Sequence, residues 1–554
     1  MSTQTERDFQ RWSQLLTLRS PYEKNWRDLG KYFIPHRANV NLQMTPGQSQ
    51  TTDLYDAVGV HANELLASSM AGSLTSPAIR WFSLHMRDEK LGKRKAVQRW
   101  LEENSNLVYH ELRQSNFHSE AHESYKDICS LGTMAVLCEE RQQKKGQYNG
   151  IRFQALSIGE YACAEDEEGR VNTLFRVFKL TRQAVVERWG SKNVSEKTRT
   201  LLAARPDETI EILHAVYPRE GGRVDAKRAT LLPYASVYYE TAEKHQLDHG
   251  GYHEFPYFVA RWDKTSGEQY GRGPGHTALP NVKTLNKVQE LFLKALAKVI
   301  DPPMKQRHNG VIGKVKLTPS SLNTVMEMDD LQPIEFGSNF SVTYQEKGDL
   351  RSEIRHIFFW DQLQLQQGVQ MTATEVERRF ELMQRLLGPT LGRLEWDFLN
   401  PLIERVMNIL HRNGQLTAMP DELLEVAGTG GDSVDVRYEG PLARAQRGAE
   451  VTAVERTFAM VMSLKELFPA IADNWDEDEI AAFVSEANGL SAKLLRDKDQ
   501  RDEMRDGRAK GMQDAAQAET GKTQSEAARN LASAAQSASQ IDVGALPTGG
   551  GMAA

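Results

Sequence analysis

Residues 281–300, NVKTLNKVQELFLKALAKVI, carry the most regular pattern in the chain. At 100° per residue, four lysines fall within about 60° of one another and the apolar side chains lie opposite them. The lysines are Lys283, Lys287, Lys294 and Lys298, and the apolar residues are Leu285, Val288, Phe292, Leu296 and Val299. The stretch therefore predicts an amphipathic helix. Asp301, Pro302 and Pro303 end it, because proline lacks an amide donor and fixes φ.

The lysine stripe has two interpretations. A row of lysines on a helix is commonly its solvent-exposed face. A row of mobile ammonium groups can also face a phosphate backbone, because lysine attracts phosphate without a fixed bidentate geometry. Periodicity alone leaves both interpretations open.

The residues after this helix predict a small module between helices. Residues 303–347 contain the strand-like pieces VIGKVKL, IEFGS and FSVTYQ, and helical spacing returns near Leu350. A glutamine- and glycine-containing loop then precedes MTATEVERR, in which Thr372 and Glu375 fit a capping box. Apolar residues recur at three- and four-residue steps from there to Leu410, so a long helix is expected. Pro389 and Pro401 should kink it.

The rest of the chain mixes helical and strand patterns. Residues 54–70 and a stretch from Lys95 predict helices, whereas 151–180 alternates apolar and polar residues around EDEEGR and predicts a hairpin. Further strands are predicted at 209–217, at 252–262 and in DVRYEGPL after the glycine turn GTGGDS. Residues 441–500 are expected to be helical, and the last 45 or so, rich in Ala, Gln, Ser and Gly, to be frayed or disordered. The fold class is α+β, mainly α.

Composition limits the possible functions. The 554 residues suffice for several domains, and 40% hydrophobic and 26% charged residues are typical of a folded protein. No apolar run approaches the ~18 residues that span a bilayer, and the N-terminus lacks a signal-peptide pattern, so we expect cytosolic synthesis and no membrane partner. The net charge of −7 argues against a surface that grips nucleic acid everywhere. Three cysteines without CxxC spacing predict reduced core residues.

Catalytic motifs are absent from the sequence. There is no GxxxxGK[ST], HExxH or GxSxG pattern. His118 and His122 have the i, i+4 spacing of a metal pair, but two polar histidines on an exposed helix face are more common than a zinc site. EDEEGR fails the EF-hand ligand spacing and is interpreted as a solvated turn. We therefore predict no catalytic site, no metal and no cofactor.

Several stretches in order along the chain resemble one family, the head-to-tail connector or portal proteins of short-tailed, podovirus-type bacteriophages. They extend to about residue 450, and MTATEVERR is the most specific of them. The stretches are WRDLGKYFIPHR (26–37), LYDAVGVHANELLASSMAGSLTSPAIRWFSL (54–84), RWLEENSNLVYHELRQSNFHSE (99–120), MTATEVERR (371–379), LLGPTLGRLEWDFLNPLIERV (386–406) and VRYEGPLARAQR (436–447).

The resemblance implies a portal-protein fold with a wing, a helical stem, a small β-containing clip and a helical C-terminal crown. The implied boundaries are 1–272 for the α+β wing, 273–300 for a stem helix, 301–347 for the clip, 348–360 for a second stem helix, 361–371 for a tunnel loop, 372–440 for a long kinked wing helix and return strand, 441–500 for the crown and 501–554 for a partly disordered tail.

The resemblance also implies a function without catalysis. Such proteins form a ring, usually of twelve subunits, at one vertex of the capsid, and double-stranded DNA passes through its channel during packaging and ejection. The implied partners are the large subunit of a separate terminase motor, tail adaptor or tail tube proteins, and the major capsid and scaffolding proteins, with assembly in the host cytoplasm and a final location in the virion. Twelve copies at −7 each would carry a formal charge of about −84, so much of the ring should repel DNA.

The resemblance assigns roles to three groups of residues. Lys283, Lys287, Lys294 and Lys298 would line the channel, although stem helices also pack against neighbouring subunits. The tunnel loop would be Gln364, Gln366, Gln367, Gly368 and Gln370, with Thr372 and Glu375 capping the helix behind it. Lys305, Arg307, Lys314 and Lys316 would form the docking surface of the clip.

Two other functions stay open at this point. A DNA-processing enzyme would need a clustered acidic metal site, which the sequence does not reveal. Another structural virion protein of the neck, tail or shell is the second alternative, against which the long helix, the inserted module and MTATEV argue.

Overall fold

The structure is a computed structural model, and it divides the chain into two compact units. One comprises Met1–Gly92 and Trp100–Ala449, and the other Lys93–Arg99 and Glu450–Ala554. The residues that the structure describes are 3–37, 51, 53–78, 80–92, 94–141, 147–224, 226, 228–308, 311–317, 322–334, 340–363, 387–421, 423, 434–438, 451–461, 463, 475–487 and 498–539.

Helices make up most of the described residues, and the first begins with a full capping box. The Thr3 hydroxyl accepts from the Glu6 amide, and the Glu6 carboxylate accepts from the Thr3 amide at 2.8 Å. The helices are α1 (Gln4–Phe33), α2 (Val58–Leu74), α3 (Glu89–Gly92), α4 (Lys95–Gln114), α5 (Phe117–Leu131), α6 (Arg182–Trp189), α7 (Glu196–Leu202), α8 (Pro274–Ile300), α9 (Phe340–Ile357), α10 (Trp360–Leu363), α11 (Asn400–Arg412), α12 (Glu477–Ala487) and α13 (Lys498–Ser539).

The strands form antiparallel sheets. They are β1 (Phe82–Met86), β2 (Thr133–Glu140), β3 (Ile151–Leu156), β4 (Tyr161–Glu165), β5 (Val171–Thr181), β6 (Thr209–Pro218), β7 (Tyr234–Glu240), β8 (His245–Tyr252), β9 (Tyr257–Arg261), β10 (Met304–Gln306), β11 (Val311–Ile312), β12 (Thr324–Val325), β13 (Leu331–Pro333) and β14 (Val434–Tyr438). A five-stranded sheet has the order β4-β5-β6-β7-β8, and a three-stranded sheet has the order β3-β2-β9. β1 pairs with β14, and two short hairpin-like pairs join β10 to β13 and β11 to β12.

The five-stranded sheet is covered on both faces. Phe175 and Val177 of β5 pack in one cluster with Leu15 of α1. On the other face, Ile212 of β6 packs with Val185 of α6. Side chains alternate between the faces of a strand, so the apolar positions of β5 and β6 supply both layers. The sheet thus forms the core of this part of the first unit.

Several predicted elements are confirmed. β4 and β5 pair across EDEEGR, where Gly169 has a φ of 79° and the Asp166 amide donates to the Arg170 carbonyl. A strand spans Thr209–Pro218, and a helix starts at Lys95. Cys129, Cys138 and Cys163 are buried free thiols, as predicted. Burial raises the pKa of Cys138 to about 12 and that of Cys163 to about 11.

Two predictions about secondary structure are wrong. FSVTYQ, predicted as a strand, forms the start of α9, so this helix begins at Phe340 rather than near 348. Its β-branched and aromatic residues favour strands only weakly, and packing of α9 against α8 overrides that preference. The C-terminal segment predicted to be frayed or disordered is helical through Ser539, because alanine, glutamine, glutamate and lysine are strong helix formers.

The long helix near the end of the first unit contains an irregular turn. Residues 387–394 are α-helical, Glu395–Leu399 form a π-helical segment, and α11 follows. The Asn400 amide donates to the Glu395 carbonyl, a five-residue step. The next residue, Pro401, has no amide to donate, so the regular hydrogen-bond ladder is interrupted at the proline that the sequence analysis singled out.

Candidate functional site

The start of α8 is fixed by close backbone packing against the end of α5. A Cβ atom at Gly275 would lie 2.3 Å from the Ser130 carbonyl oxygen, and one at Gly271 would lie 2.5 Å from that of Gly132. Gly132 itself has a φ of 75°, which favours glycine. A larger residue at position 271 or 275 would clash with these carbonyl groups. The glycines of GRGPG (271–275) therefore determine where α8 leaves the body of the protein.

The first half of α8 is buried and anchored by Asn286. Val282 and Leu285 are fully buried, and Asn286 is only 4% exposed. The Asn286 Oδ1 atom accepts from the backbone amides of Tyr55 at 2.9 Å and Asp56 at 3.2 Å. The helix is therefore tied to the segment that leads into α2.

Asp56 extends this junction to α9. Its Oδ1 atom accepts from the Val58 amide at 3.0 Å, at the start of α2. Its Oδ2 atom accepts from Arg351, at 2.7 Å from Nη2 and 2.9 Å from Nε. The Asp56 side chain is 5% exposed, so the guanidinium supplies a charge partner to a carboxylate that water barely reaches. The start of α2, α8 and α9 are thus held together.

A buried lysine joins the two helices further along. The Lys347 Nζ atom of α9 lies 3.6 Å from the centre of the Phe292 ring of α8 and donates to Gln289 Oε1 at 3.1 Å. Burial, helped by the nearby Arg351 charge, lowers the pKa of Lys347. A cation over an aromatic face is attracted to the ring, so this contact helps hold α8 and α9 side by side.

The four lysines of the stripe lie on α8 as predicted, and carboxylates engage Lys283, Lys287 and Lys294. Lys283 pairs with Asp28 of α1, while Lys287 and Lys294 both pair with Glu290 of α8 itself. Lys298 is exposed in the last turn. Whether this face is turned toward a channel stays a prediction.

The predicted clip is a small module with exposed basic residues. Lys305, Arg307, Lys314 and Lys316 are all exposed. Arg307 pairs with Glu327 at 3.0 Å, and the Lys316 backbone exchanges two hydrogen bonds with the Asn323 side chain at 2.8 Å. Among the described residues of 301–334, no apolar side chain is fully buried. Nothing in these contacts tests the docking role.

The predicted tunnel loop and helix cap lie outside the described residues. This concerns Gln364, Gln366, Gln367, Gly368, Gln370, Thr372 and Glu375.

The histidine pair has separate hydrogen-bond partners. His118 Nδ1 lies 3.1 Å from the Thr75 carbonyl oxygen, and His122 Nε2 lies 3.1 Å from Ser68 Oγ. Burial lowers the pKa of both imidazoles. Within the described ranges, no group of three His, Cys, Asp or Glu side chains is arranged to hold a metal ion. Across the same ranges, no helix has the length and apolar character to span a bilayer.

Sequence reasoning missed the residues that anchor α8. Any two of the three residues Asn286, Asp56 and Arg351 are separated by more than 60 positions in sequence. No local pattern therefore signals their contact. Glu290 could have been found, because its spacing of three residues from Lys287 and four from Lys294 is that of facing side chains on a helix.

Comparison with known proteins identifies the class to which the chain belongs. A profile of the family described as bacteriophage head to tail connecting protein matches residues 7–495. The chain belongs to this family, which confirms the resemblance drawn from the sequence.

Individual relatives match between 75% and 96% of the chain. The chain is 28% identical over 544 residues to the portal protein of Salmonella phage epsilon15, with 96% of this chain and 95% of that protein covered. It is 28% identical over 512 residues to the probable portal protein of Bordetella phage BPP-1, with 89% and 90% covered. The portal protein of Enterobacteria phage T3 is 21% identical and covers 75% of this chain, with 76% of its own length matched.

Proposed function

We propose that this phage portal protein forms a closed ring of twelve copies at the head–tail junction of the virion, through which double-stranded DNA is packaged and later ejected. The observation that carries the proposal is the family match across residues 7–495. The chain acts as a structural component, and a terminase motor supplies ATP hydrolysis. The ring assembles in the host cytoplasm with the major capsid and scaffolding proteins.

Segments of the chain correspond to the parts of such a subunit. Residues 1–272 and the long helix with β14 form the wing, α8 and α9 form the stem, and the module between them forms the clip. The exposed clip residues Lys305, Arg307, Lys314 and Lys316 dock the terminase large subunit and later the tail adaptor or tail tube proteins. Residues 361–371 form the tunnel loop, and residues 441–500 form the crown.

The exposed half of α8 supports a place in a ring. Leu291 and Leu293 are 53% and 42% exposed, unlike the buried Val282 and Leu285 of the first half. At 100° per residue, these two leucines lie on opposite sides of the lysine stripe. A helix that packs against neighbouring copies on both sides would bury both leucines and leave the lysines facing the axis. The stripe then lines the channel.

Negative-stain electron microscopy of the purified protein, followed by a packaging assay, tests the proposal. We expect closed rings with a central hole and twelvefold symmetry. Replacing Lys283, Lys287, Lys294 and Lys298 together by glutamine should leave rings intact and change the amount of DNA packaged or retained, because it removes the lumenal ammonium groups. Compact monomers under several salt conditions would refute the ring, and unchanged packaging and retention would refute the lumenal stripe.

A further inference from the structure

Glu290 lies beside the lysine stripe of α8, between Lys287 and Lys294 in sequence. Its Oε2 atom lies 2.9 Å from Lys287 Nζ, and its Oε1 atom bonds to Lys294 Nζ. The side chains of Lys287 and Lys294 are 63% and 64% exposed, whereas that of Glu290 is 19% exposed. One largely covered carboxylate thus holds two lysines that are otherwise free to extend into solvent.

This arrangement reduces the charge that the stripe presents. The Lys294 and Lys287 ammonium groups lower the pKa of Glu290, and the Glu290 carboxylate raises the pKa of Lys294, so the contact favours the charged forms of Glu290 and Lys294. Their sum is one positive charge instead of two. Asp28 makes the corresponding contact with Lys283 from α1. The net positive charge that DNA would meet at the stripe is therefore smaller than the four charges of its lysines.

We propose that Glu290 weakens the binding of DNA in the channel. It acts as a positioning residue, because it holds Lys287 and Lys294. This inference rests on the proposed function of the stripe. A passing phosphate must compete with the carboxylate for each ammonium group, so contacts form and break without a tight complex. A conduit needs this property, because each phosphate neutralised by a firm contact raises the barrier to sliding.

The test compares DNA binding to purified full-length rings over a range of salt concentrations, with linear double-stranded DNA as the probe. The variant is Glu290→Gln, which keeps the shape of the side chain and removes its charge. Glu346→Gln is the matched control, because Glu346 is exposed on α9 and, among the described residues, none of the ion pairs involves it. Electron microscopy of each variant verifies that rings form.

E290Q should bind DNA several-fold more tightly than the parent, and the salt dependence of log K should steepen by about 0.9 for each additional phosphate that the lysines neutralise. E346Q should change binding much less. When E290Q is combined with Lys287→Gln and Lys294→Gln, the tighter binding should disappear, since the freed lysines cause it.

Two results separate failure of this inference from failure of the proposed stripe. If the fourfold lysine variant weakens DNA binding while E290Q behaves like E346Q, the proposed role of Glu290 is refuted and the lumenal stripe stands. If the fourfold lysine variant binds DNA as the parent does, both ideas are refuted.

Discussion

Replacing Asn286 by alanine should loosen the segment that precedes α2. In the intact protein, the Asn286 side chain is the acceptor for the Tyr55 and Asp56 amides, at 2.9 and 3.2 Å. The substitution removes the acceptor and leaves a small cavity beside α8 that cannot hydrogen-bond either amide. The perturbation therefore acts on residues about 230 positions away in sequence.

The loss of local stability in Asn286→Ala follows from the burial of the Tyr55 and Asp56 amides. The Asp56 amide is buried, and leaving a buried donor without an acceptor costs about 1–3 kcal/mol. The Tyr55 amide is partly buried and can be rehydrated, so its loss is closer to the net value of about 1 kcal/mol for a single hydrogen bond. Together they give about 2–4 kcal/mol, which corresponds to roughly 30-fold to 1,000-fold in a local opening equilibrium.

Hydrogen–deuterium exchange of peptides that cover residues 53–60 measures this opening directly. We expect exchange in that segment to accelerate in Asn286→Ala, while β5 and β6 keep the protection of the parent. Thr284→Ala is a suitable control, because the exposed Thr284 hydroxyl donates to the Pro280 carbonyl of the same helix. Parent-like exchange at residues 53–60 in a folded Asn286→Ala protein would refute the assigned role of Asn286.

Two further predictions concern pH and helix position. Burial raises the pKa of Asp127 to about 7, against partial opposition from Arg37, so the folded state holds a proton that the unfolded state has lost between about pH 4 and 7. Stability should therefore fall as pH rises through that window. Asp127→Asn should flatten the dependence of Tm on pH, and a slope identical to that of the parent would disprove the titration of this group. Gly275→Ala should lower stability by about 1–3 kcal/mol, because its Cβ would meet the Ser130 carbonyl at 2.3 Å. Gly348→Ala in α9, with open space around its Cβ position, should be neutral or stabilising by up to about 1 kcal/mol in the same thermal melts.

Local hydrophobic periodicity correctly predicts those elements whose sequence pattern matches the secondary structure that they adopt. The helix 281–300 and the hairpin around EDEEGR could be predicted because each follows one clear period, near 3.6 residues in the helix and two residues in the strands. The prediction for FSVTYQ is wrong because its residue types favour strands, whereas the contacts of Lys347 with Phe292 and Tyr344 stabilise a helix. The contact with Phe292 joins residues 55 positions apart, and no window of local sequence contains it.

Asn286 shows the same limit within the candidate site. On a helical wheel it lies about 60° from Lys283, beside the polar stripe, and would be expected to face solvent. In the structure it is buried, because Tyr55 and Asp56 bring two amides to that side of α8. The polar face of α8 thus contains both an anchoring residue and the lysines. Which of its residues are buried is decided by the start of α2 and by α9, not by the sequence of α8.

This division would allow one helix to serve both as an anchor and, as proposed, as a lining of the channel. The first half of α8 is fixed by glycine contacts at its start and by Asn286, so its position does not depend on the charges further along. Further along, the largely covered Glu290 pairs with the exposed Lys287 and Lys294. Changes in those charges should therefore alter the interaction with DNA without displacing the helix, whereas changes at Gly275 or Asn286 should displace it. A variant set that separated DNA binding from stability along this boundary would support the proposed role of α8 as a stem helix, because it would show that the anchoring residues and the lysines act independently.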